Sequence, residues 1–394
     1  MYEVTYSFNE RFVDISWKKM SQLTVSTNQV CLVNIPWDIT TEVLSRLPVK
    51  SLMRFKCVSK SFYDLISNDT IFQKKHLYHR SSLKILVPQR ETRGVIAYSC
   101  STSSLNPGDN MIHELQLPIG IGGPMYTNGR FHTSCDGLFC IRVYGGGVII
   151  WNPSTRQVRE CPGFDLVVHS LNPCWVVYSL AHDSRSDVYK LLGVFKCSHF
   201  HPYRLCFYSS EMATWRDVEN SSCDYVRYDV NPTIVNGAFH WLGCHDEHFK
   251  TLDVVVSLDI SDETYGTFAM PRTLCDAKNY PMLCALKGKL CLFTSQDTSS
   301  LNYEIWVMNE YGVVDSMSRM ASISFSKPPR NFYGPDPYCR PLHMLEDGTI
   351  VIFRCGKTSL YKDGRFLCDT SVGASCDFAL SHLYLESLIS PHII

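Results

Sequence analysis

The chain has 394 residues, a formal charge of -1 and 45% apolar residues. That length accommodates a small module plus one large domain with a sizeable core, and the balanced charge excludes a global pull toward nucleic acid or acidic membranes. Eighteen cysteines, scattered through strand-like runs without a CxxC pair, are not the framework of a short secreted scaffold; they read as buried filler in a reducing compartment, cytoplasm or nucleus.

Residues 1–30 mix polar and isolated aromatic residues without a sustained period and read as a loosely ordered leader. MYEVTYSFNERF has acidic residues early and no basic patch followed by an apolar stretch, so it is not a secretory signal. The run LVVHSLNPCWVVYSLA is interrupted by His169, Asn172 and Pro173 and falls short of the roughly 18 apolar residues of a membrane span. In such a compartment the sequons at Asn68 and Asn220 carry no meaning.

Over residues 31–80 the pattern is helical. Pro36 suits a first helical position, and Ile39, Val43, Leu44 and Leu47 form one stripe that Pro48 ends. A second helix places Leu52, Phe55 and Val58 three residues apart, and a third carries Phe62, Leu65 and Ile66 up to the SND cluster. Asp69 is positioned to cap a fourth, TIFQKKHL, with Ile71, Phe72 and Leu77. A core of about fifty residues is marginal. Lys50, Arg54, Lys56, Lys60, Lys74, Lys75 and Arg80 face only Asp64 and Asp69 between Lys50 and Arg80, a solvated basic face or one that steers toward an acidic partner; nucleic-acid binding lacks a recognised motif.

From residue 81 to 394 the character is β: runs of Val, Ile, Phe, Tyr and Cys bounded by Gly, Pro, Asn and Asp. GLFCIRV, YKLLGVFKC, GAFHWLGC, GKLCLFTS and GTIVIFRC recur from Gly137, Tyr189, Gly237, Gly288 and Gly348, about fifty residues apart, each followed by a second strand and a polar turn. This is the content of propeller blades, which bury their faces only against neighbours. LKILVPQRETRGVIAYSC begins a further blade and SHLYLESLI is placed to complete it, closing the ring. The expected fold is α+β by content: a small all-α module, then a large all-β domain of about six blades, with five or seven open and a β-sandwich as the alternative.

Candidate chemistry is sparse. Gly145, Gly146 and Gly147 lead into the strand VIIW, so they read as a hairpin turn and not a phosphate loop. Cys244, His245 and His248 have metal-ligand letters, but neighbours on a strand point to opposite faces and a structural zinc site needs four ligands. Ser184 beside His182 and Asp183 has triad letters without a GxSxG turn, and neither HExxH nor GxxxxGK occurs. The tryptophans Trp151, Trp175, Trp215, Trp241 and Trp306 lie on or beside strands, where packing is their default role. No catalytic residue, metal or cofactor is expected.

IPWDITTEVLSRLPVKSLMRFKCVSKSFYDLIS resembles an F-box, the helical module with which a substrate receptor grips the Skp-type adaptor of a cullin ubiquitin ligase. The resemblance rests on Pro36, the ladder Ile39, Val43, Leu44, the Leu47-Pro48 step and LMRFKCVSK. It implies adaptor contact through Ile35, Pro36, Ile39, Val43, Leu47, Pro48, Leu52, Phe55 and Val58, some of which must instead pack inside the module. The remainder resembles the plant F-box-associated domain, including the S-locus F-box relatives, through SCDGLFCI, IIWNPSTRQVRECP, HDSRSDVYKLLGVF, TWRDVE, NGAFHWLG, YEIWVMNEYGVVDSMSRM and LYLESLISP in order, with Met317 where tryptophan is usual. The resemblance implies a non-catalytic substrate receptor: the F-box binds the adaptor, and through it a cullin scaffold, while the β domain binds an unidentified target protein. An adaptor-binding protein that delivers nothing for degradation is the alternative. Neither nucleic acid nor membrane is an expected partner.

Overall fold

The computed structural model describes residues 4–8, 11–15, 35–79, 83–91, 94–101, 113–118, 130–143, 147–163, 175–196, 204–218, 225–226, 231–244, 252–274, 281–295, 301–325, 339–354, 357–370 and 382–393. Compact units divide the chain after Leu44. In the first, strands Val4–Phe8 and Arg11–Ile15 pair antiparallel within the segment read as a leader; the alternation of Val4, Tyr6 and Phe8 with Thr5 and Ser7 is a short period-two signal. The same unit holds helix α1 (Trp37–Leu44). Pro36 lies one residue ahead of it, its carbonyl accepting the first turn's bond from the Thr40 amide at 3.0 Å.

The second unit opens with α2 (Val49–Phe55), α3 (Lys60–Asn68) and α4 (Thr70–His79). Ser59 Oγ accepts from the Phe62 amide at 3.1 Å and Asp69 Oδ1 from the Phe72 amide at 2.8 Å, so α3 and α4 both start on the capping residues their sequences offer. Val58 lies not in α2 but in the turn after it, where its amide bonds the Phe55 carbonyl. Leu52, Leu65, Ile66 and Phe72 are buried, and Phe55 meets Phe62 edge-on with ring centroids 6.3 Å apart.

Six sheets follow, the blades of a propeller. Blades II, III, V and VI each take four strands in chain order, beginning at Arg130, Trp175, Met282 and Arg340. In blade IV the first strand is split into Tyr225–Val226 and Thr233–Val235, both paired with Ala238–Cys244. Blade I is assembled from the two ends of the domain: His382–Leu385 pairs with Leu83–Glu91, which continues to Gly94–Ser101 and His113–Leu115. The first strands of blades III, II, I, VI, V and IV meet in that succession, which places them at the axis. Strands toward the outside, such as Thr214–Asp217 and Tyr265–Ala269, are largely exposed.

Gly137, Gly237 and Gly288 sit in two-residue turns between first and second strands, while Gly348 lies in the longer turn between Met344 and Ile350. Asp136 and Gly137 have φ of 49° and 84°, and Asn236 and Gly237 have 51° and 72°, the paired positive values that a tight hairpin needs. Each junction between neighbouring blades has its own apolar cluster, from Phe139 and Tyr384 between I and II to Ile85 and Val351 between VI and I. A two-sheet sandwich has no such cyclic set of interfaces. Of the ten cysteines whose side chains are described, all free, seven are buried in these layers.

Candidate functional site: the apolar groups of the helical module

The helices are too short to bury all their apolar side chains among themselves. Ile35, Ile39 and Val43 of the α1 segment are 57%, 51% and 54% exposed, and Pro36 is exposed with them. Val58, in the second unit, is 64% exposed. Of the nine residues expected to meet an adaptor these five face outward, Pro48 and Phe55 are half-buried, and Leu47 and Leu52 belong to the interior at 8% and 0%. The split follows from the loop geometry. The Leu47 carbonyl is bound by His76 Nε2 of α4 at 2.8 Å, which holds the Leu47-Pro48 turn inward, whereas Val58 sits on the exposed turn after α2.

Exposed groups outside that set include Trp37, Tyr63, Ile71 and Tyr78. The spacing of Ile71 and Tyr78, seven apart on α4, is a sequence signal for one face. Lys50, Arg54 and Lys60 are exposed and form the basic character of the surface, while Lys56 is half-buried with its ammonium 6.0 Å from the Tyr63 ring centre. Burial lowers the Lys56 pKa from its ordinary value. Arg80 lies outside the described residues.

Within the propeller the suspected chemistry is spent on structure. His182 Nε2 bonds Asp187 at 3.0 Å, and Asp183 accepts from Ser186 Oγ at 2.6 Å, so His182 and Asp183 hold a hairpin on which Ser184 is exposed. Gly147 bonds back to the Val143 amide across the loop before VIIW; Gly145, Gly146, His245 and His248 lie outside the described residues. Sequence reading missed Asn152 of the NPST turn. Its Nδ2 donates to the Ser387 and Ile389 carbonyls at 3.1 and 2.8 Å, while Oδ1 accepts from the Ser154 amide, tying the C-terminal segment to blade II.

The F-box associated beta propeller domain family matches residues 97–359, two thirds of the chain, and the F-box domain family matches 32–74. This chain belongs to the F-box-associated propeller family. An F-box/kelch-repeat protein of Arabidopsis thaliana is 29% identical over 375 residues, covering 91% of this chain and 96% of its own length. The F-box protein CPR1 of the same plant is 28% identical over 359 residues, covering 84% and 81%. F-box and propeller domains are typical of non-catalytic adaptor-binding receptors. In this F-box-associated propeller Met317, where the resemblance leads one to expect tryptophan, packs half-buried against the cluster between blades IV and V. Phe268, Leu283 and Trp306 pack against the same cluster.

Proposed function

We propose that this chain is the substrate receptor of an SCF-type ubiquitin ligase: its F-box docks a Skp-type adaptor and through it a cullin scaffold, and its propeller holds a target protein. The observation that carries the reading is the exposure of Ile35, Ile39 and Val43 by half or more along α1; in the second unit Val58 is likewise exposed, whereas Leu47, Leu52, Ile66 and Phe72 are buried. Large apolar groups in such number are what a partner's helices would cover. No nucleophile of the receptor's own is required, because tethering the target beside an activated ubiquitin raises the effective concentration of its lysines. The reading puts the receptor in the cytoplasm or the nucleus.

The test is co-purification of a Skp-type adaptor with the full chain carrying Ile39→Asp and Val43→Asp. Both positions are exposed, so the fold should survive, while an unpaired charge in the new interface should reduce adaptor capture at least a hundredfold, about 3 kcal/mol. Undiminished capture by a folded variant sinks the reading. A charge at Leu47 does not serve, since it enters the module's interior and unfolds it.

A further inference from the structure

The stretch HDSRSDVYK, one of the segments that resembles the family, forms the hairpin between Trp175–Asp183 and Val188–Lys196 of blade III. Its polar side chains reach three other parts of the molecule. Toward blade IV, Asp183 accepts from Ser261 Oγ at 2.5 Å, and Lys190 Nζ donates to the Ile260 carbonyl at 2.6 Å and to Glu263 at 3.0 Å. Toward blade II, the Tyr189 hydroxyl donates to Asp136 at 2.8 Å. The third direction is α4. Lys74 Nζ pairs with Asp187 and also donates to its carbonyl at 3.5 Å. Asp187 is itself braced by His182, whose ring lies 4.8 Å from that of Tyr189.

Helix α4 has no single apolar stripe, and the junction explains why. Leu77 packs against the cluster between blades II and III, which Ile393 of the C-terminal segment also meets. The opposite side belongs to the other helices: Gln73 Nε2 donates to the Ser67 carbonyl at 3.0 Å, His76 Nε2 donates to the Leu47 carbonyl, and His79 Nδ1 lies 3.0 Å from Ser45 Oγ. A helix with protein on two sides spreads its anchors around the barrel instead of along one face. Side-chain hydrogen bonds hold one side, and an apolar plug with an ion pair holds the other.

We propose that α4 is a fixed strut, and that Lys74, Leu77 and Asp187 are positioning residues that set the orientation of the propeller relative to α2 and α3. The inference rests on the receptor reading for its consequence: transfer by proximity depends on where the target's lysines stand, so a fixed strut selects which lysines receive ubiquitin, whereas a swivelling one spreads them. The hairpin motif then acts as a junction of four parts, and its residues serve geometry, not recognition.

The experiment uses the full chain co-expressed with a Skp-type adaptor, with a fluorophore pair placed through unnatural amino acids at the exposed positions Asn68 on α3 and Met212 in blade III, because the native thiols exclude thiol labelling. Single-molecule transfer efficiency should form one narrow population in the parent protein, broaden for Lys74→Glu and for Leu77→Ser, and narrow again when Lys74→Glu is combined with Asp187→Lys. A broad parent population, an unchanged one in both single variants, or no restoration by the charge exchange overturns the proposal. In a reconstituted ligase the map of self-modified lysines should widen in the same variants and contract in the exchange. Loss of adaptor from the parent protein would instead defeat the receptor reading, and the efficiencies of the chain alone would still decide the strut.

Discussion

His240 shows how one buried side chain couples the fold to pH. It is 1% exposed. Its Nδ1 lies 3.1 Å from the Thr233 carbonyl, which only accepts, so that nitrogen carries the proton and Nε2 accepts the Tyr311 hydroxyl at 2.6 Å. Burial disfavours the imidazolium and pushes the pKa down to about 4 from 6.5, against the opposing pull of the Thr233 and Ala238 backbone. Between those values the unfolded chain binds the proton and the folded one does not, so stability falls as pH drops from about 6.5 to about 4, by about 3 kcal/mol in all. Asp347 continues the decline: the Thr349 amide, first, and Lys362 hold its pKa to about 2, so its stabilisation is present above the ordinary carboxylate range and is lost as pH falls toward that value. Denaturant unfolding across this range should show the slope above pH 4 flatten in His240→Gln; a slope equal to the parent's would exclude the imidazole as its source.

At the scale of elements, each helix is short and depends on its ends. Asp69 closes α3 and caps α4 through the Phe72 amide. Asp69→Ala should cost about 1 kcal/mol, expressed as faster amide exchange in the first turn of α4 with the propeller's exchange unchanged. Equal protection of that turn in the variant would show that Gln73, His76 and Leu77 hold the helix without its cap. The hairpins of the blades are specified just as locally: Asn236-Gly237 and Asp136-Gly137 are pairs that tolerate positive φ. At Gly137 a second constraint operates, since an added Cβ would collide with Ser387 Oγ and the Leu385 carbonyl. Gly137→Ala should therefore disturb the C-terminal segment as well as the turn.

For the whole molecule, closure is the decisive event. The ring is completed only when His382–Leu385 reaches Leu83–Glu91 and the following residues seat on blade II under Asn152. These contacts span nearly the whole domain, so they form against the largest loop entropy in the chain. A chain ending at residue 381 should lose the cooperative thermal transition, because blade I lacks its axial strand and its neighbours lose a face. Asn152→Ala retains that strand but strips bonds from the buried Ser387 and Ile389 carbonyls; a loss of about 3 kcal/mol is expected. Calorimetry of both distinguishes strand closure from tail anchoring, and an undiminished transition in the truncated chain would show that the ring does not need its clasp.

Sequence alone determined what depends on near neighbours. The helical period between Pro36 and Ile66, the capping role of Asp69, the fifty-residue repeat and the pairing of SHLYLESLI with the first β segment are all written as local patterns, and the family likeness rests on them. Tertiary structure decided what depends on distant partners. Apolar letters at helical spacing do not reveal which face the chain itself covers, so Leu47 and Leu52 go inside while Ile39 and Val58 stay out. Likewise Asn152 and Asp187 are ordinary surface letters until the C-terminus and Lys74 of α4 are brought against them. Periodicity is set by the backbone within a few residues, whereas burial and polar pairing are set by whatever the completed fold places opposite.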